Sequence, residues 1–198
     1  MTLLYLDQLL NFLRQADGFE AIGAIEREWD EWRATEQAGK RVNEGRPGAQ
    51  AKGGKQQPKG GGGRSRPGGK TARPQVLRAR GGHQIFIGHS GVQNDAVTFD
   101  IARPEDIWLH SRGVPGSHVI VKWAGGRADE TILQAAAELA AYYSANRDSG
   151  RVEVDHAARR DVRKIKGAGP GMVTYRNEHT IRVASRSEQE LRKLGLLE

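Results

Sequence analysis

Apolar side chains in the first 39 residues have the spacing that is typical of helices. They recur every three or four residues on both sides of Gly18, and they are Leu3, Leu6, Leu10, Leu13, Ile22, Ile25, Trp29 and Trp32. This spacing predicts a helical hairpin over residues 1–39. Its acidic, heptad-like pattern suits the end of a coiled coil, and it equally suits an amphipathic helix pair packed on a neighbouring domain.

Apolar and polar positions alternate in several segments after residue 81, and this pattern predicts strands. The segments are HQIFIGH, DIWLH, SHVIVKW, RVEVDHAARRDVRKIK and GMVTYRNEHTIRVA. The last of them is predicted to be a hairpin that turns at Asn177–Glu178. The segment NDAVTFDIARP is ambiguous, because VTFDI alternates like a strand whereas Asn94 and Pro104 suit the two ends of a short helix.

The clearest helix of the chain is predicted over residues 129–145. Asp129 and Glu130 suit its positive N-terminal end, and the apolar positions that follow form one stripe. A second, charged helix is predicted in the C-terminal segment 185–198. We therefore expect an α+β fold with a mostly antiparallel sheet and one main packed helix.

Residues 40–80 have a different composition from the rest of the chain. They contain ten glycines, four prolines and no aromatic residue, with 12 basic side chains against one acidic side chain. Such a segment buries too little apolar surface to offset the entropy of ordering, so a disordered linker is predicted. Its net charge of +11 favours contact with a polyanion, most simply RNA, although a linker that only aids solubility has the same composition.

The overall composition excludes several classes of protein. The chain has no cysteine, which excludes disulfides and thiolate metal sites. No apolar run reaches the roughly 18 residues of a membrane span, and the N-terminus lacks the features of a signal peptide. A cytoplasmic location without membrane contact is therefore expected.

The segment 106–123, DIWLHSRGVPGSHVIVKW, carries the most chemically versatile side chains. Ser111 or Ser117 with His110 or His118 and Asp106 would supply the residue types of a nucleophile triad, but no G-x-S-x-G elbow surrounds either serine. Asp106, His110 and His118 also have the residue types of a metal site in a metal-dependent hydrolase. Both hypotheses stay open at this point.

Strand alternation favours a third hypothesis for the same segment. It places Trp108 and His110 on the face opposite Ile107 and Leu109, where an aromatic and an imidazole ring beside basic side chains suit RNA contact. For Trp108 itself, a buried core position is the favoured interpretation. The RNA-contacting side chains predicted in this region are Asn94, His110, Arg112, His118 and Lys122.

The segment ARRDVRKIKGAGPG concentrates positive charge. Five cations lie within eight residues with a single acid, and such a group favours a nearby anion such as phosphate. The cations are Arg159, Arg160, Arg163, Lys164 and Lys166. Gly167, Gly169 and Gly171 surround Pro170, and a structural turn is predicted there rather than a nucleotide-binding loop.

The sequence from about residue 81 to residue 184 resembles the RNA-binding (R) domain of the NFACT family. These are the RqcH-like proteins of ribosome-associated quality control, some of which carry the older name of fibronectin-binding protein. The resemblance rests on the segments QND, DIWLH, PGSHVI, AAYYSA, VEVDH and KIKGAGPGMVTY. The acidic helices before it resemble the end of the family's coiled-coil middle region. The basic segment 40–80 and the C-terminal helix 185–198 have no counterpart in the resemblance.

The resemblance implies partners rather than a reaction. It implies binding to a stalled large ribosomal subunit, to ribosomal RNA and to tRNA, without a cofactor, a metal or a small-molecule substrate. The family's N-terminal and helix-hairpin-helix regions have no match in this sequence. We therefore expect that this chain is not an enzyme and does not by itself perform the alanine tailing that the family supports. A protein-interaction role of the N-terminal helices stays open, since Trp29 and Trp32 lie close together on an acidic segment.

Overall fold

The computed structural model describes residues 2–16, 18–44, 73–122 and 129–198. The helices in these ranges are α1 (Thr2–Gln15), α2 (Phe19–Glu44), α3 (Gly91–Asp95), α4 (Glu130–Tyr142) and α5 (Glu188–Lys193). The strands are β1 (Gln75–Arg78), β2 (Gln84–Ile87), β3 (Ile107–Ser111), β4 (Val119–Val121), β5 (Val152–Ala158), β6 (Val162–Lys164), β7 (Val173–Tyr175) and β8 (His179–Val183). Six strands form an antiparallel sheet in the order β1-β2-β4-β3-β5-β8, and β6 pairs with β7 in a second sheet. The predicted α+β class is confirmed.

The large sheet separates two apolar layers. On one face, alternate residues such as Ile85, Leu109 and Val154 pack against the alanine-rich side of α4. On the other face, Trp108 and Ile120 pack with Val162 of the small sheet and Val97. Because strand residues alternate between faces, the DIWLH segment contributes to both layers. This burial makes β3 the centre of the domain.

The helical hairpin buries a different face of α1 from the one that leucine spacing predicts. Tyr5, Leu9 and Phe12 are buried with Ile25 of α2, whereas the predicted stripe is largely exposed at Leu3, Leu10 and Leu13. The predicted helical hairpin is present, but the leucine spacing did not indicate its buried face, because α1 has two apolar stripes and the aromatic one packs. The two helices meet where predicted, at Gly18, whose φ of 100° suits glycine.

The hairpin packs directly on the domain. Glu28 accepts hydrogen bonds from the Tyr5 hydroxyl (2.9 Å) and from the backbone N–H of Val92 (3.0 Å). Gly169 lies against the Tyr5 ring so closely that a Cβ at this position would be 2.5 Å from ring carbon Cδ2. Any side chain at residue 169 would therefore push the helices away from the domain. Burial raises the pKa of the Glu28 carboxyl above its usual value.

The ambiguous segment NDAVTFDIARP is helical. Ser90 caps α3 by accepting a hydrogen bond from the backbone N–H of Gln93 (3.1 Å), and α3 continues into a π-helical turn over Ala96–Ile101. The chain leaves this turn at Ala102, two residues before Pro104. Asn94 lies inside α3 and is not its N-cap.

Two expectations on chain organisation require correction. The turn at Asn177 exists, with a φ of 56°, but β7 pairs with β6 while β8 pairs with β5, so the predicted hairpin of β7 with β8 was wrong. The chain crosses between the two sheets there, because the edge of β5 accepts β8. The predicted linker also ends too late, since β1 begins at Gln75 and Leu77 is buried. Most of the linker, residues 45–72, lies outside the described residues.

Among the described residues, no helix has both the length and the apolar character that crossing a membrane requires.

Candidate nucleic-acid interface

Trp108 lies in the core at the centre of the DIWLH segment. Its side chain is fully buried, and its ring packs on Tyr175 with 4.8 Å between the ring centroids. The His110 ring stacks on it at 5.8 Å, and the His118 ring meets it edge-on at 5.2 Å. The interpretation of Trp108 as a core residue is therefore confirmed.

Asn94 and His118 are also buried, which corrects their predicted contact with RNA. The side-chain oxygen of Asn94 accepts a hydrogen bond from the His118 backbone N–H (2.8 Å), and its amide donates to the carbonyl of Gly116 (3.3 Å). The His118 ring nitrogen Nδ1 pairs with the Thr98 hydroxyl at 2.9 Å. Both residues are at most 1% exposed, so they tie α3 to β4 and are unavailable to a polymer at the surface.

His110 lies between this buried layer and the surface. Its ring is 5.4 Å from the His118 ring, and part of its surface remains exposed. Burial of the imidazole lowers the pKa of His110 to about 4, and burial lowers the pKa of His118 well below its usual value. His110 is therefore neutral at physiological pH and offers a nucleic acid a hydrogen bond or a stacking surface without a charge.

The low pKa of His110 predicts acid sensitivity. Below pH 6.5 the unfolded chain binds a proton at this residue that the folded chain does not bind, so stability falls as pH falls. We expect this residue to account for a loss of about 2–3 kcal/mol between pH 6.5 and pH 4.5. Urea denaturation of the wild type and of His110→Gln across this range measures it, because the variant lacks the titrating group. Parallel stability profiles for the two proteins would contradict the assignment.

The side chains proposed for a triad or a metal site are not arranged as either site requires. The Asp106 carboxylate accepts from the Arg103 backbone N–H (2.7 Å) and pairs with the Lys122 ammonium (2.9 Å). The hydroxyls of Ser111 and Ser117 are buried, and neither has a hydrogen-bond partner among the described residues. Neither serine is therefore paired with a histidine, as a triad requires. Across the described ranges, no group of three or more candidate ligands converges on a metal position.

Three of the predicted RNA-contacting cations are held by the protein itself. Lys122 donates to the Ile101 carbonyl as well as pairing with Asp106. The Arg159 side chain donates from Nε to the Thr98 carbonyl (2.7 Å), and its guanidinium lies 5.0 Å from the centroid of the Phe99 ring. Arg112 pairs with Asp155 at 3.3 Å and is about half exposed. Of these three, Arg112 presents the most surface.

Asp155 is a structural centre that the sequence analysis did not identify. This fully buried carboxylate accepts hydrogen bonds from the hydroxyls of Tyr175 (2.8 Å) and Thr180 (2.6 Å) in addition to pairing with Arg112. It thereby joins the small sheet to strands β3, β5 and β8. Burial, followed by the bond to Asp155, raises the pKa of the Tyr175 hydroxyl. The segment VEVD contains two acids, Glu153 and Asp155, and only their burial in the structure distinguishes the structural one.

The remaining four cations form an exposed group, the basic cluster, defined as Arg160, Arg163, Lys164 and Lys166. Arg163 and Lys164 lie on β6, whose first residue, Val162, is fully buried and anchors the strand. Lys164 pairs with Asp95, while the structure gives Arg163 and Lys166 no acidic partner within 4 Å among the described residues. Unlike Arg159, the other three side chains extend into solvent from β6 and its adjoining turns, and Lys164 stays about half exposed beside Asp95.

The N-terminal tryptophans are used within the hairpin. The Trp29 and Trp32 rings stack on each other with centroids 5.3 Å apart, and Trp32 also packs on Tyr5 at 5.0 Å. Much of their surface therefore contributes to joining α1 and α2.

By its architecture the chain is an α+β protein whose antiparallel sheet has a helix on one face and a smaller sheet with a basic edge on the other. It is a homologue of the Rqc2 homolog RqcH, with 39% identity to the Bacillus subtilis (strain 168) protein over 107 residues, or 54% of this chain and 18% of that protein. RqcH of Streptococcus pneumoniae serotype 2 (strain D39 / NCTC 7466) is 38% identical over 117 residues, or 58% of this chain and 21% of that protein. The chain spans about a fifth of the length of these relatives.

A solved structure extends the similarity to nearly the whole chain. The C-terminal part of the fibronectin/fibrinogen-binding protein from Streptococcus suis matches 97% of this chain and 66% of its own chain, with a TM-score of 0.69 and 30% sequence identity. No family model matches the sequence. The resemblance of the sequence to RqcH-like proteins is therefore confirmed.

Proposed function

We propose that this chain is an RNA-binding module of ribosome-associated quality control that binds the stalled large ribosomal subunit through ribosomal RNA and tRNA. Homology to RqcH supports the pathway. The basic cluster supports the chemistry, and it is the observation on which the proposal depends. In longer relatives such binding would support the alanine tailing that the family resemblance implies.

The geometry of the basic cluster suits contact with a phosphate backbone. Lys164 and Arg163 project from β6, and Arg160 and Lys166 flank the same strand. The only acid inside this stretch, Asp161, is occupied by Arg176 at 3.2 Å and lies 4.0 Å from Arg160. The cluster therefore keeps a net positive charge, and phosphate neutralisation would release counterions from the RNA.

The proposal is tested by sedimentation of the chain with ribosomal particles. Large subunits that carry peptidyl-tRNA, vacant large subunits and small subunits are compared at matched salt and RNA concentration. We expect the chain to bind the peptidyl-tRNA-bearing large subunits most tightly. Equal binding to all three particles would show general polyanion affinity and would contradict a role in this pathway.

A salt titration in the same assay measures how much the positive charge of the linker contributes to RNA binding. A variant in which the seven Lys and Arg residues of 46–72 are changed to Gln keeps the chain length. We expect a shallower dependence of log affinity on log salt, by about 0.7 for each phosphate that these cations neutralise on single-stranded RNA. An unchanged slope would show that the linker does not take part in binding and that the folded domain makes the RNA contacts.

A further inference from the structure

A cavity of about 510 Å³ lies between the helical hairpin and the domain. It is bounded by α1 and α2 on one side and by β1, the start of α3, the end of α4 and α5 on the other. None of the basic-cluster residues lines it. Its volume is in the range of small-ligand sites in proteins.

One wall of this cavity is a polar network. The His89 ring nitrogen Nε2 pairs with the side-chain oxygen of Gln75 at 2.6 Å, and the Gln75 amide donates to Glu188. The Tyr143 hydroxyl also donates to Glu188 (2.6 Å), and the His89 and Tyr143 rings meet edge-on at 4.7 Å. Four side chains from β1, α5, the end of α4 and the segment before α3 thus hold one another in position.

The opposite wall is mainly apolar. Phe12 and Ala16 of the α1 segment and Ala21 and Ala24 of α2 line it, and small side chains leave a smooth surface. Gln15 also lines this wall, and its side-chain oxygen is buried without a hydrogen-bond partner among the described residues. A buried acceptor without a donor is unfavourable, so the Gln15 side chain would be stabilised by turning toward a ligand that donates a hydrogen bond.

These two walls suit a flat ligand with apolar faces and N–H donors along one edge. An unpaired nucleobase has this shape, and proteins bind such bases by stacking and by hydrogen bonds to the Watson–Crick edge. Guanine carries two adjacent donors on that edge, N1–H and N2–H, which match a carboxylate such as Glu188 or Glu20. Arg73, which also lines the cavity, supplies a cation for the attached phosphate.

We propose that this cavity binds one unpaired guanosine nucleotide of the RNA that the chain recognises. This inference rests on the proposed RNA-binding function and specifies one contact within it. An arginine side chain from a protein partner could also donate hydrogen bonds to these carboxylates. A single guanidinium, however, would fill little of a cavity of this volume. In addition, Arg73 belongs to a segment with a net charge of +11, which favours a polyanion over a basic protein partner.

Mononucleotide binding tests the base identity. In isothermal titration of the full chain we expect GMP to bind at least tenfold more tightly than AMP or UMP. Acetyl-arginine amide is titrated as the alternative ligand. Tighter binding of acetyl-arginine amide than of GMP would overturn the proposal, and so would the absence of saturable GMP binding up to about 10 mM.

Two variants and one control variant locate the site. Ala21→Leu fills the cavity from the apolar wall with a good helix former, and Ala34→Leu places the same side chain at an exposed position of the same helix as a control. We expect at least a tenfold loss of GMP affinity in Ala21→Leu and no change in Ala34→Leu, with equal helical circular dichroism. Glu188→Gln replaces an acceptor with a donor and is expected to abolish the preference for GMP over AMP. An unchanged preference in Glu188→Gln would remove the carboxylate from recognition.

Titration of tRNA and large subunits separates this inference from the proposed function. If the cavity holds a base, Ala21→Leu weakens RNA binding and lowers the salt slope by at most about 0.7, because the Arg73 contact is the only phosphate contact assigned to this site. Unchanged RNA binding by Ala21→Leu would overturn the inference and leave the proposed function standing. Failure of the wild-type chain to bind RNA would instead overturn the proposed function.

Discussion

Changing Arg160, Arg163, Lys164 and Lys166 together to Gln is expected to weaken binding to large subunits or tRNA about 100-fold near physiological salt. Each phosphate contact contributes about 0.7 to the slope of log affinity against log salt on single-stranded RNA, so losing four contacts also lowers that slope by about 3. Arg159 is left unchanged, because its bond to the Thr98 carbonyl makes it a structural residue. Filter binding across a salt series measures both quantities.

A variant with the same change of charge at another place serves as the control. Arg151, Arg182, Arg192 and Lys193 are exposed and belong to the turn before β5, to β8 and to α5. Their replacement by Gln removes four positive charges without touching β6. A similar loss of affinity in both variants would show that net charge alone determines binding. Normal binding by the cluster variant, with an unchanged melting curve, would show that the interface lies elsewhere.

Trp108→Ala is expected to lower the free energy of unfolding by about 3–5 kcal/mol, the usual cost of truncating a fully buried large aromatic residue. The ring fills the layer between the two sheets and touches Tyr175, His110 and His118. A domain of this size has a total stability of roughly 5–15 kcal/mol, so the variant should be close to unfolding. Urea denaturation followed by circular dichroism measures the change.

Trp108→Phe separates volume from hydrogen bonding at the same position. The indole N–H has no partner among the described residues, so its removal leaves no acceptor unpaired. We expect a loss of about 1–2 kcal/mol for this variant, which reflects the smaller ring alone. A loss as large as that of Trp108→Ala would indicate that the indole N–H has a bonded partner, such as an internal water. A fully stable Trp108→Ala protein would place the ring outside the core.

These two predictions assign different roles to neighbouring sequence motifs. The segment DIWLHSRGVPGSHV looks like a functional signature because of its histidines and tryptophan, yet most of its polar atoms serve the packing between layers. Asp106 and His118 illustrate this, since the Asp106 carboxylate accepts from the Arg103 backbone N–H and the His118 ring pairs with the Thr98 hydroxyl. Where a buried polar group is paired in this way, the partner restricts the residue's identity as strongly as an active site would.

Local periodicity was sufficient to predict most elements of this protein. Alternation in HQIFIGH and DIWLH predicted β2 and β3, and the alanine-rich stripe predicted α4, because each side chain's face follows from its position in the repeat. The net charge of each segment and the family resemblance likewise follow from the amino-acid sequence alone. Within the segment ARRDVRKIKGAGPG, composition alone identified the five cations of residues 159–166. It did not show which of them reach solvent.

Only the tertiary structure decided which polar side chains are available at the surface. His110 and His118 lie in the same motif, but His118 is enclosed beneath α3 whereas His110 reaches the surface. The sequence could not distinguish them, because alternation did not predict that the segment containing α3 is helical. Arg159 differs from Arg160 for the same reason, since its partner carbonyl, Thr98, is 61 residues away. The strand order was also undetermined locally: β8 completes the large sheet while β7 turns to β6, a choice set by long-range packing around Asp155 and Trp108. Contacts between residues distant in sequence determine burial, and burial decides whether a histidine or an arginine supports the fold or meets a ligand.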